Sequence, residues 1–279
     1  MTDQRVISVV RISVGAARRL RAAPSDAGRV HSVFEKSLNL DWHDGRLLTL
    51  HGPGPLLAPF AAALTHFPAG AVRPGQPVWR RDDTITLDGG VVGWSGAASV
   101  DTAMPETSAE RQSVTALLSM LPDVESGSSG LTSTARRRAE SRLADGLRLR
   151  QSESFIAGAL GLLGLGEGLT PSGDDCLVGA LAVVHRFARS WLDAHPEIDS
   201  TVTTASVTAT NAIAREFVTH ALAGQFSESL IDLMSAQSAK DIGRAVTHLL
   251  SMGATSGADT LHGIRLALCA IGTHGETSA

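Results

Sequence analysis

Cysteine is scarce: only Cys176 and Cys269 occur in 279 residues. Two are too few for a disulfide framework and are not spaced as a zinc knuckle, so the chain suits a reducing cytosol, with both thiols as small buried hydrophobes. An excess of charge is missing as well. Lys plus Arg number 24 against 28 Asp plus Glu, a formal net charge of -4, and no basic block exceeds Arg136-Arg137-Arg138. Such a chain has no electrostatic footprint for a phosphate backbone or an anionic membrane, so neither is expected as a partner. Long apolar runs are also absent. The longest weakly polar stretch, Phe155 to Gly166, is broken by glycine and falls short of the ~18 apolar residues a spanning helix requires. The opening MTDQRVISVVRISVG carries Asp3 and Arg11 and so lacks the unbroken apolar region of an export signal. A cytoplasmic protein without a membrane segment is expected. With 43% hydrophobic residues over this length, a core can form without disulfide or metal staples.

What is present changes character along the chain. From residue 5 to about 100, short β-rich runs (VISVVRISV, VHSVFEKSLNL, RLLTLHG, TITL, VVGWSG) alternate with turn chemistry at Asp44-Gly45 and Asp88-Gly89-Gly90. That pattern predicts an antiparallel meander or a small barrel. Between these runs PLLAPFAAALTHF, residues 55 to 67, reads as a short helix that its prolines restrict to a few turns. After Pro105, Thr107 and Glu110 have capping-box spacing ahead of the helical stretch RQSVTALLSML. Further helices are expected near 134–150, 152–163, 174–193, 203–223, 226–236, 239–251 and 258–271, from apolar spacing near 3.6. The stretch DVESGSSGLTST, residues 123–134, has little to bury and reads as a mobile loop. The expectation is an α+β chain: a β-rich domain over 1–105 and an all-helical domain over 106–279.

The most unusual segment is GLLGLGEGLTPSGDDCLVGALAVVHRF, residues 161–187. Glycines, hydroxyls and carboxylates crowd between two apolar helical runs. Amides at such a helix start can point at one spot, where the helix dipole favours an anion, and glycine lets a ligand approach closely. Gly166, Glu167, Gly168, Thr170, Ser172 and Gly173 are the candidate binding residues of this loop, and Asp174 and Asp175 the candidate catalytic pair. Paired carboxylates would suit a divalent cation, or one could act as a base whose pKa its neighbour raises. Consecutive helical residues face different ways, so both need not meet one ligand. No Lys stands where a Walker loop requires it, and the dinucleotide spacing is absent. Helix capping by Thr170, Ser172 and Asp175 is the structural alternative.

A second stretch echoes the first. SGDDCLVG at 172–179 and SGADTLHG at 256–263 share the pattern SGxDxLxG, which in so Ala/Gly/Ser/Leu-rich a chain does not by itself establish a repeat. Each copy nevertheless opens a helix after a turn, so Thr255, Ser256, Gly257 and Asp259 could complete a pocket for one small anion shared by two helix starts. Independent capping remains the alternative for this copy. No HxxxH or HExxH pair occurs in the C-terminal half, which leaves zinc catalysis without a signature and the metal ligands unassigned. His262 reads as a surface or core-edge histidine rather than a ligand-contacting one. There is no GxSxG elbow, and Cys176 beside acidic residues would have a raised pKa, so a serine or cysteine nucleophile is not expected.

The motifs GLGEGLTPSGDDCLVG and GATSGADTLHG, with the upstream HSVFEKSLNL, resemble a bacterial family long known only as a domain of unknown function and now linked to the AllH-type subunit of oxamate carbamoyltransferase. The resemblance is strongest from about 152 to 270 and looser in the β-rich half; the stretch 203–226, with Thr208, Thr210 and Asn211, departs from the family pattern. It implies a subunit of a cytosolic hetero-oligomer in ureide and purine-nitrogen breakdown, moving a carbamoyl group between oxalurate and phosphate to give oxamate and carbamoyl phosphate. Its ligands would be small anions; no cofactor is assigned, and a divalent cation is the one candidate, if the carboxylates hold it. A doubly charged phosphate usually recruits Arg or Lys, yet neither motif core contains one. The nearest is Arg265; otherwise Arg46, Arg80 or Arg81 of the β-rich half, or a partner subunit, must supply it, and the partner is favoured. Two other readings stand beside this one: a stand-alone cation-dependent hydrolase built on Asp174 and Asp175, and a non-catalytic binding or scaffold subunit.

Overall fold

The computed structural model describes residues 6–24, 27–54, 56–68, 70–88, 90–105, 111–124 and 131–273. The chain divides into two compact units, Met1–Thr102 and Ala103–Ala279.

The first unit is a β-barrel. Its strands are β1 (Val6–Ser13), β2 (Gly28–Val33), β3 (Ser37–Asp41), β4 (Leu47–His51), β5 (Ala61–Leu64), β6 (Pro77–Arg81), β7 (Thr84–Leu87), β8 (Gly90–Gly93) and β9 (Ala98–Val100). They run in the order β5-β4-β3-β2-β6-β7-β8-β1-β9, and an antiparallel pairing of β5 with β1 closes the ring. Closure removes the open edges that a flat sheet would expose. The turn anticipated at Asp44-Gly45 joins β3 to β4, with Asp41 opposite Leu47; around the anticipated Asp88-Gly89-Gly90 turn, of which Gly89 lies outside the described residues, β7 and β8 pair antiparallel with Leu87 opposite Gly90. Gly45 adopts φ 72°, and the Asp44 carboxylate accepts from the Arg46 amide at 3.0 Å.

Three details depart from the sequence expectation. The pairing is not wholly antiparallel, because β4–β5, β1–β8 and β1–β9 are parallel. VHSVFEKSLNL is two strands, β2 and β3, folded back on each other with Val33 opposite Leu38. Within the segment 55–67, whose residue 55 lies outside the described residues, Ala61–Leu64 forms strand β5 and the expected helix does not form among the described residues. Every residue of Ala61–Leu64 is buried, and three small alanines there let β4 and β1 approach from either side, so tertiary packing overrides alanine's helix propensity. One helix was not anticipated: α1 (Val14–Ala22), whose start is capped by the Ser13 hydroxyl accepting from the Ala16 amide at 3.0 Å. Ala16, Ala17 and Leu20 face the barrel core while Arg18 and Arg21 stay exposed.

The second unit is helical: α2 (Arg111–Met120), α3 (Leu131–Leu149), α4 (Ser152–Leu162), α5 (Ser172–Phe187), α6 (Arg189–Asp193), α7 (Glu197–Ala209), α8 (Ala212–Leu222), α9 (Glu228–Ser235), α10 (Ala239–Leu250) and α11 (Ser256–Gly272). The expected helix over 203–223 is two, α7 and α8. They break at Thr210 and Asn211, where the Asn211 side chain caps α8 by accepting from the amides of Ile213 and Ala214 at 3.0 and 3.1 Å. The one over 174–193 splits at Ala188 into α5 and α6. The capping-box residues Thr107 and Glu110, and residues 125–130 of the Ser/Gly stretch, lie outside the described residues; α3 already begins at Leu131.

Helix α5 is the axis of this unit. Every residue from Gly173 to His185 is buried, and α4, α6, α8, α9 and α11 pack around it. A helix apolar on all sides must sit inside a bundle, since no face can be left to water. Among the described residues no helix is long and apolar enough to cross a membrane.

Candidate functional site

The two SGxDxLxG segments form the first turns of α5 and α11, and these helices cross at very close range. An added methyl on Gly179 would overlap the backbone carbonyl oxygen of Thr260, and one on Gly263 that of Cys176. In each case the eighth residue of one segment rests on the fifth of the other, so the crossing is nearly symmetric. The second glycines behave alike: a methyl on Gly173 would strike the carbonyl of Leu162, and one on Gly257 that of Leu249, each at the end of the preceding helix. The shared pattern is therefore a repeated packing device. It accounts for four glycines, including Gly173 and Gly257, whose amides bond to Leu165 O and Met252 O.

Capping does not account for the polar residues. Pro171 is the N-cap of α5 and Thr255 that of α11, and neither start carries a side-chain cap hydrogen bond. The Ser172 hydroxyl donates instead to Leu165 O at 3.3 Å. Thr170 and Ser256 meet directly, Oγ1 to Oγ, at 2.5 Å. The two helix starts thus converge, 86 residues apart in sequence.

The paired aspartates diverge. Asp174 accepts from the Gly164 amide at 3.0 Å and from the Thr210 hydroxyl at 2.6 Å, so each oxygen is engaged in holding the loop before α5 and the end of α7. Asp175 faces the other way, towards the hydroxyls of Ser256 and Thr170, and its Oδ2 has no hydrogen-bond partner among the described residues. A joint cation clamp of the two is not formed. Burial raises both carboxyls; for Asp175, burial outweighs the Ser256 and Thr170 hydroxyls and, with the charges of Asp259 and Asp174 nearby, pushes the pKa up to about 7.

A carboxyl that titrates near 7 when folded and near 3.8 when unfolded keeps a proton in the native state that the open chain has released. Its contribution to stability therefore falls as pH rises from about 4 to about 7 and is constant above that; Asp174 has the same sign. Asp175→Asn removes the larger of these effects. Melting curves of the variant are expected to shift less with pH across that window than those of the parent, and equal slopes would show that Asp175 ionises normally.

Beside Asp175 lies a buried ionic network that the sequence reading missed. Arg136 of α3, 1% exposed, donates from Nε to Glu140 Oε1 at 2.6 Å and from Nη1 to Asp259 Oδ1 at 2.8 Å. Glu140 also meets His262 Nε2 at 3.1 Å, and its carboxyl is held below the usual range because His262 and Arg136 outweigh burial. Arg136 Nη2 and Asp259 Oδ2 remain without a partner among the described residues. Burial and the neighbouring Glu140 push the Cys176 thiol up to about 12, so it is no nucleophile. A signal for Arg136 was available. It stands four residues before Glu140 and seven before Leu143, on the buried stripe of α3 that continues through Leu147.

The remaining candidates are on the surface. Gly166, Glu167 and Gly168 form an exposed loop with φ 124° at Gly166 and 95° at Gly168, a backbone that favours glycine. No hydrogen bond among the described residues engages the amides of 166–168. Thr255 is exposed beside Ser256. Arg265, the basic residue nearest the second segment, donates to Leu121 O and Asp123 at the end of α2 and is not in the network. Arg80 donates to Ala23 O within the barrel.

A family model described as oxamate carbamoyltransferase subunit AllH matches residues 162–268, which span both helix starts, and a model described as the AllH family N-terminal domain matches residues 7–101. No curated protein and no solved structure matches the chain.

Proposed function

The chain belongs to the AllH family, and from that premise we propose that it is a subunit of a carbamoyltransferase acting on a ureide such as oxalurate, with a small anion held where the starts of α5 and α11 meet. The observation that carries this reading is the contact of Thr170 with Ser256, uncapped hydroxyls of two converging helix starts. Two dipoles directed at one place favour negative charge. Gly166, Glu167 and Gly168, exposed a few residues before Thr170, and Thr255, exposed beside Ser256, would add donors to that place, with Ser172 at its edge and Gly257 held beneath it by its bond to Met252 O.

In carbamoyl transfer from carbamoyl phosphate to oxamate, the amide nitrogen attacks the carbamoyl carbon. A C–N bond forms, the C–O bond to phosphate breaks, and the nitrogen sheds a proton. A base titrating near neutral pH suits that step. Asp175 is such a group, and the Thr170 and Ser256 hydroxyls beside it link it to the substrate surface. In the reverse direction Asp175 returns the proton. Asp174 holds the loop in place and does not touch substrate.

Charge sets a limit on what this chain does alone. Arg136 is spent on Glu140 and Asp259, a trio with one net negative charge. Among the described residues Arg136 thus offers a phosphate no surplus charge, and a partner subunit provides it. The hydrolase reading, which needed Asp174 and Asp175 on one ion, loses its basis once the two diverge. The scaffold reading keeps one supporting observation, that helix packing alone explains the four glycines of the repeated pattern.

Co-expression of the chain with the other subunits separates these readings. The assembled complex is expected to release oxamate from oxalurate only when phosphate is present, and Asp175→Asn to lower turnover by on the order of 10²-fold while the complex still assembles. Absence of phosphate-dependent oxamate release from the complex overturns the substrate assignment. Unchanged turnover in the Asp175→Asn complex makes the subunit a scaffold.

A further inference from the structure

We propose that Glu140, Cys176 and His262 form a binding site for one borderline-soft divalent cation, zinc foremost, where α3, α5 and α11 meet. Each helix supplies one donor, and the Glu140 oxygen, the Cys176 sulfur and the His262 ring nitrogen lie within 4.8 Å of one another. An ion with bonds of about 2.0–2.3 Å draws such donors to within about 4 Å of each other, and Glu140 and His262 already stand 3.1 Å apart. The mixture of imidazole, thiolate and carboxylate selects zinc over magnesium or calcium, which prefer oxygen alone.

A second observation points the same way. Among the described residues Arg136 Nη2 and Asp259 Oδ2 have no partner, in side chains that are each 1% exposed, and orphaned polar atoms so deep in a protein call for an explanation. The Arg136 guanidinium is near enough to Cys176 to favour its thiolate, against burial. A neutral thiol is a weak acceptor, whereas a metal-bound thiolate is a charged one, and such outer contacts orient metal ligands. Charge closes as well. Without an ion, Arg136, Glu140 and Asp259 sum to one negative charge; a divalent ion entering as Cys176 loses its proton to solvent adds one positive charge, and the buried cluster becomes neutral. His262, with a quarter of its side chain exposed, marks the side from which an ion arrives. The donors stand 36 and 86 residues apart, which is why no short motif announces them.

The three donors do not include Asp175, the base proposed for carbamoyl transfer, so the test of this site needs no substrate. The full chain, stripped by a chelator, is titrated with cobalt(II) and followed by absorption. One equivalent is expected to bind with a near-ultraviolet thiolate-to-cobalt band. The band is lost in Cys176→Ser and weakened in His262→Gln, and kept in Cys269→Ser, since Cys269 is exposed two turns further along α11 and is not one of the three clustered donors. If Cys176→Ser fails to fold, the half-buried His262 still allows the comparison to be made with His262→Gln. A wild-type chain that gives no such band at saturating cobalt, or a band that survives Cys176→Ser and vanishes in Cys269→Ser, overturns the assignment.

Discussion

Gly263→Ala is expected to cost the helical unit about 3 kcal/mol or more, although the same change on an isolated helix would stabilise it by about 1 kcal/mol. The added methyl would lie 2.7 Å from the Cys176 carbonyl carbon and closer still to its oxygen. Those atoms belong to the backbone of a fully buried helix and cannot swing aside, so α5 and α11 must separate along their whole crossing. Gly179→Ala meets the Thr260 carbonyl in the same way and should cost as much. Gly243→Ala supplies the contrast: it lies on the exposed face of α10 with open space around it, where helix propensity alone decides and a gain of about 1 kcal/mol or less follows. Urea unfolding of the three variants measures both signs. A Gly263→Ala protein as stable as its parent would mean that the two helices do not touch as described.

Arg136→Met should be comparably damaging, by about 3–5 kcal/mol, because it strands the buried carboxylates of Asp259 and Glu140. The pair of bonds it removes is not worth that much in itself; most of the loss is the cost of leaving charge uncompensated in a poorly polarisable interior. Two comparisons isolate that cause. Adding Asp259→Asn and Glu140→Gln to Arg136→Met is expected to restore much of the stability, since no lone charge remains. Arg136→Lys is expected to restore little, because one ammonium cannot reach two carboxylates as the guanidinium fork does. Stability curves for the single and triple variants decide. A triple variant no better than Arg136→Met would locate the damage in lost packing.

The helices that were legible in sequence are those whose apolar spacing is strong and local, such as α3, α4, α10 and α11. Errors arose where a distant partner set the outcome. Ala61–Leu64 became a strand because β1 and β4 both pair with it, and the nine-residue α1 escaped notice because its arginines interrupt the apolar pattern. The two helix starts were recognised as candidates from their glycines, hydroxyls and aspartates, and the structure brings Thr170, Ser256, Asp175 and Asp259 into one neighbourhood. The roles of those residues were not legible. Nothing in the string Asp174-Asp175 distinguishes the carboxylate that ties down a loop from the one left with an unpartnered oxygen.

Composition and periodicity by themselves determined the order of a β-rich half before a helical half and the two glycine-rich helix starts, because each follows from neighbours within a few residues along the chain. Only the folded molecule decided that a barrel closes through β5 and β1, that Arg136 is the buried counter-charge, and that Glu140, Cys176 and His262 share one space. Those outcomes depend on packing between residues far apart in sequence and on how much water each group loses, and neither quantity is written in local order.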